Sequence, residues 1–113
     1  MHGLARRSER HAVLLTELWR DERRLYAEVI RGGVEAGIFE VAGTPEQVAA
    51  GLLALEDGLV LHLVSNNQEL GSDRVIATYA GIAAQQLNCP GIVDAASRLI
   101  ADRAGPDAAT AAP

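Results

Sequence analysis

The chain has 113 residues, enough for one domain that buries roughly 65 % of the surface its unfolded form exposes. It is 49 % hydrophobic but only 4 % aromatic, so a core must be built from Leu, Val, Ile and Ala, which favours helices over a sandwich or barrel. A net charge of −5 argues against a nucleic-acid binder, and the single Cys89 excludes an intramolecular disulfide and makes the cytoplasm the default compartment.

The charge is unevenly spread. Residues 1–31 carry seven Arg against five acids, a net +2, whereas residues 32–113 carry three Arg against ten acids, a net −7; Lys is absent. The Arg6-Arg7-Arg10 cluster reads as a solvated helix start. No apolar signal-peptide core follows it.

In chain order, the first helix is expected from Leu4 to Ala36. Leu14, Leu15, Leu18, Leu25 and Val29 recur at helical spacing on one face, with Trp19, Tyr26, Ile30 and Gly33 on the adjoining face. Asp21 to Arg24 face solvent, and any kink in this amphipathic rod should lie near Gly32-Gly33. Gly37 suits a left-handed helix stop, with Ile38 as the apolar contact of a Schellman motif.

A second helix opens on a capping box. Thr44 is the N-cap, Pro45 sits at the first helical position and Gln47 lies three residues after the Thr. Up to Asn67 the helix is apolar on nearly every face, a pattern that calls for burial all round. So short a chain has few elements to cover it, so a second copy is expected to supply one wall. At about 20 residues it approaches a membrane span in length, but Glu56, Asp57 and His62 argue against lipid.

Ser72 is the expected cap of a third helix over 73–88. Its apolar face is Val75, Ile76, Tyr79, Ile82, Ala83 and Leu87, and Ala77, Ala80, Gly81 and Ala84 form a small-residue face. After Asn88-Cys89-Pro90-Gly91, a fourth helix over 92–104 is expected to bury Ile92, Val93, Ala96, Leu99 and Ile100. The domain is therefore drawn as 4–104, with 105–113 a disordered tail.

Catalytic chemistry has no footing in these residues. No Gly-rich phosphate loop, C-x-x-C or H-E-x-x-H motif occurs, and His2, His11 and His62 are scattered, so neither metal nor cofactor is expected and the chain reads as no enzyme. Glu56 and Asp57 point about 100° apart on a helix and cannot face each other as acid and base. The plain reading is that at least one of them reaches solvent or an Arg; a ligand contact is the alternative.

The run from Leu25 to Val64, LYAEVIRGGVEAGIFEVAGTPEQVAAGLLALEDGLVLHLV, resembles the C-terminal domain of TetR/AcrR-type transcriptional regulators. The matching residues are Gly33-Val34, Gly37, Phe39, Thr44-Pro45, Ala49-Ala50, Leu52 to Leu55 and Asp57-Gly58-Leu59, within a resemblance spanning about residues 14–88. The resemblance implies an all-α antiparallel bundle that binds a small apolar effector and homodimerises through its last two long helices as a four-helix bundle. Those helices correspond to 45–67 and 73–88. Family members begin with a helix-turn-helix DNA reader, and residues 1–30 do not resemble one, so no direct DNA binding is expected of this chain alone.

From this resemblance, Trp19, Tyr26 and Phe39 are candidate walls of an effector site, with His62 as its polar group. Each has another reading: Trp19 and Tyr26 as core or interface aromatics, Phe39 as the plug of a helix pair, His62 as an interface residue. Leu55, Gly58, Leu59, Tyr79, Ile82 and Ala83 are the candidate dimer interface. A stand-alone interaction protein without a ligand remains the alternative function. A truncated gene product, a fragment and a stand-alone remnant all remain open as origins.

Overall fold

The computed structural model describes the backbone of residues 2–111 and the side chains of residues 7–105. Leu4, Arg6 and the end of the expected tail therefore lie outside the described side chains. Four helices follow one another: α1 (His2–Glu35), α2 (Pro45–Val64), α3 (Ser72–Leu87) and α4 (Gly91–Ala111). Each packs on the next, giving a sheet of helices with extents of 62 × 37 × 19 Å. No strand occurs among the described residues, so the all-α class stands.

The local signals at the α1–α2 junction form as expected. Gly37 adopts φ +75°, Gly37 N–H donates to Val34 at 3.1 Å and Ile38 N–H to Gly33 at 2.8 Å, the two bonds of a Schellman stop. The apolar contact differs. Ile38 stays 61 % exposed because the residue it would meet is Gly33, which has no side chain, and the Phe39 ring covers that glycine instead. α1 stays helical through Gly32 and Gly33 to Glu35.

Thr44 caps α2 through a complete capping box, its hydroxyl accepting from Gln47 N–H at 3.1 Å while the Gln47 side chain accepts from Thr44 N–H at 3.0 Å. Leu53 is fully buried, and Val48, Ala49, Leu52 and Leu59 are buried beside it. The helix ends at Val64, three residues earlier than expected, because Asn66 turns left-handed at φ 61°. By length and hydropathy α2 is the one described helix that would suffice to cross a bilayer, but it packs between α1 and α3 and carries Glu56 and Asp57 near its middle.

Several burial expectations are corrected. Leu14, Leu15, Leu18, Leu25 and Val29 are all exposed, since α2 lies along the adjoining face and buries Ala27 and Ile30, with Tyr26 half-buried. On α3, Ala80 and Ala84 of the small-residue face are buried beside Ala83 and Leu87 of the apolar face, while Ala77 and Ile82 are exposed. Ile92, Ala96 and Ile100 are half-buried on α4, but Val93 and Leu99 are exposed. Ser72 does not cap α3. Gly71 occupies the N-cap, and the Ser72 hydroxyl accepts from Arg103 of α4 at 3.2 Å. The backbone breaks at Gly105 (φ 77°), where the fourth helix was expected to end.

The adjacent glycines of α1 predict opposite responses. A Cβ at Gly32 meets nothing within 4 Å, whereas one at Gly33 would run into the Phe39 ring. Gly32→Ala should stabilise by about 0.5–1 kcal/mol through helix propensity. Gly33→Ala should destabilise by about 1–3 kcal/mol through overpacking. Urea midpoints of the two variants check the sign of each.

Candidate functional site

Two apolar cavities lie between the helices. The larger, about 420 Å³, is walled by Leu59 and Val60 of α2, Val75 and Ile76 of α3, and Ile92 and Leu99 of α4. The smaller, about 330 Å³, lies against Leu25 and Val29 of α1, Phe39, Leu52, and Leu87 of α3. Tyr26, Tyr79 and Ile92 border both, so the cavities adjoin at that trio.

A polar chain crosses this apolar space. Tyr79 donates its hydroxyl to Tyr26 Oη at 3.1 Å, and Tyr26 donates to a carboxylate oxygen of Glu56 in a short hydrogen bond. Three helices each contribute one member. Burial raises the Tyr26 phenol far above its ordinary range, and the bonds to Glu56 and Tyr79 raise it further. Burial also raises Tyr79; its bond to Tyr26 acts the other way, and the Glu56 charge adds to the rise. Both phenols therefore remain protonated donors through the neutral range.

A larger hollow of about 760 Å³ runs along α1 and the start of α2, but its wall is charged. Arg31 pairs with Glu46 and Arg24 with Asp21, all substantially exposed, and such pairs contribute little. Its character is that of a solvated charged face.

Of the expected effector residues, the fold unites Tyr26 and Phe39 and leaves out the other two. Trp19 is half-buried but borders neither apolar cavity, and His62 is exposed, with its ring Nδ1 3.2 Å from Asn67 Nδ2. His62 lies past the last buried turn of α2. Glu56 and Tyr79 border the same cavity: Tyr79 was expected at the dimer interface, and for Glu56 a ligand contact was the alternative reading. The signal for Glu56 was an acid inside an apolar helix; Asp57, by contrast, is exposed as the plain reading required.

The expected interface residues also separate. Ala83 is 3 % exposed inside the core cluster, Leu59 is buried, and Tyr79 is half-buried and hydrogen-bonded to Tyr26. Leu55 is half-buried, while Gly58 and Ile82 are exposed. Among the described residues nothing passes close to Gly58: a Cβ there meets nothing within 4 Å. Among the described residues, His, Cys, Asp and Glu nowhere gather in a group of three or more that could hold a metal.

The all-helical order, the Schellman turn leading into a Thr-Pro-capped apolar helix, and the match of a family model decide the assignment. That model, described as BetI-type transcriptional repressor, C-terminal, matches residues 1–88. The chain belongs to the TetR family of regulators, as a C-terminal domain. No curated protein and no solved structure matches it. The match takes in all of α1 to α3 and reaches further toward the first residue than the resemblance read from residues 14–88; α4 lies outside it.

The tyrosine pair gives two predictions. Tyr26→Phe removes a donor to a carboxylate and should cost about 1.5–3 kcal/mol, whereas Tyr79→Phe removes a neutral hydrogen bond and should cost about 0.5–1.5 kcal/mol; chemical denaturation distinguishes them. Because both phenols are raised in the fold, the stability they contribute is fully present below the unfolded phenol value of about 10 and is lost as pH rises beyond it. Ultraviolet titration should show no phenolate near that value until the chain unfolds, and phenolate forming at ordinary pH in folded protein would contradict the buried network.

Proposed function

We propose that this chain is the effector-sensing and dimerisation domain of a TetR-type transcriptional regulator, working as a cytoplasmic homodimer and not as an enzyme. The observation that carries the reading is the apolar cavity between α2, α3 and α4, with the Tyr79–Tyr26–Glu56 chain on its wall. Its volume of about 420 Å³ lies within the range of small-molecule sites, and a few polar groups in an apolar wall are the usual recipe for orienting a ligand.

Dimerisation is supported by what α2 and α3 leave open. Gly51, Ala54, Gly58 and Leu61 follow one another at three- and four-residue spacing on the outer side of α2, and Ala77 and Gly81 lie on α3. A Cβ built at Gly51, Gly58 or Gly81 meets nothing within 4 Å, so nothing inside the chain requires glycine there. Helical glycines cost about 1 kcal/mol each relative to Ala, and close approach of a second copy is a reason to keep them.

In this reading the same two helices line the effector cavity and present the partner face. A ligand that prefers one spacing of α2 against α4 shifts the geometry of the dimer by its differential affinity. DNA recognition is not assigned to these residues. α1 is one continuous helix over His2–Glu35, where a helix-turn-helix would need a turn between two.

The neutral fluorophore N-phenylnaphthylamine tests the cavity. Bound to the wild type it should brighten and raise the melting temperature, reaching about 2.7 kcal/mol of stabilisation at a hundredfold excess over Kd. Ala96→Trp, which fills the cavity wall, should abolish binding while retaining helicity. Failure of the wild type to bind, or unchanged binding by the folded variant, would refute the effector reading.

A further inference from the structure

The wall of the larger cavity carries a charge signature. Glu56 is its one charged residue, Tyr26 and Tyr79 are polar, and the remainder are aliphatic, with no Arg among the residues that line it. The two phenol protons are already directed along the chain, Tyr79 to Tyr26 and Tyr26 to Glu56. What this wall offers a bound molecule is therefore acceptor capacity. A carboxylate has about four lone-pair sites, and Tyr26 uses one of them. A donor head group gains a charge-assisted hydrogen bond there, while an anionic head group meets a like charge in an apolar setting that strengthens the repulsion.

We propose that the cavity takes a linear aliphatic molecule whose head group donates a hydrogen bond to Glu56 and bears no negative charge, its tail lying along Val75, Ile76 and Leu99. The proposal rests on the effector-binding reading above and adds to it the chemical class of the ligand. Aliphatic alcohols and primary amines satisfy the requirement, and fatty acids of the same length do not.

The test is displacement of N-phenylnaphthylamine from the full chain by dodecanol, dodecylamine and dodecanoate, each below micelle formation. Dodecanol and dodecylamine should displace the fluorophore, and dodecanoate should be weaker than dodecanol by at least about tenfold. In Glu56→Gln, whose side-chain carbonyl still accepts from Tyr26, the gap between dodecanoate and dodecanol should shrink below roughly threefold. Dodecanoate equal to dodecanol on the wild type overturns the proposal, as does a tenfold gap that survives in folded Glu56→Gln. Should that variant not fold, the wild-type comparison decides alone. Fluorophore binding that none of the three displaces overturns the ligand class and leaves the effector reading standing, whereas no fluorophore binding overturns both.

Discussion

The structure depends on how one helix, α2, is covered. It is apolar on nearly all sides, yet its own chain supplies neighbours for only part of its surface. The face bearing Val48, Ala49, Leu52 and Leu53 is sealed by α1 and α3, and Leu59 is buried further along. Beyond Leu59, Leu61 remains 62 % and Val64 73 % exposed. Hydrophobic stabilisation scales with the apolar area removed from water, so the uncovered side is the largest unused contribution on this helix.

That partial coverage also explains the cavity. The face of α3 nearest the core is built from Ala80, Ala83 and Ala84, which let it approach α2 closely, while Tyr79 and Tyr26 are too large and too polar to close the remaining gap. Unpaired, the two phenols and the Glu56 carboxylate would each lose hydration without compensation. Joined in one chain they satisfy one another, and no buried side-chain donor or acceptor is left without a partner among the described residues. Polar satisfaction and empty apolar volume thus arise at the same place, which is the combination a ligand site requires.

What the sequence disclosed was mainly local. The Thr44–Gln47 capping box, the left-handed Gly37 and the Asn88 to Gly91 break depend on residues within one turn of each other, and all formed near the expected positions. Which face of α1 is buried was not legible. Leu14, Leu18, Leu25 and Val29 make the more apolar stripe, but α2 is tied to the other side by the Schellman turn and by Phe39 on Gly33. Tyr26 and Phe39 could be named as candidates from size and position alone. Glu56 and Tyr79 joined them only because α2 and α3 come together over Tyr26, 30 residues from the first and 53 from the second along the chain.

The central claim is that a second copy covers the open side of α2 and α3. Sedimentation equilibrium of the wild type beside Gly58→Leu tests it most directly, since Gly58 is exposed and a Cβ there meets nothing within 4 Å among the described residues. The account predicts a wild-type dimer at micromolar concentration and a Gly58→Leu chain that is monomeric with unchanged helicity. A folded wild-type monomer, or a Gly58→Leu chain that dimerises as well as the wild type, would contradict it.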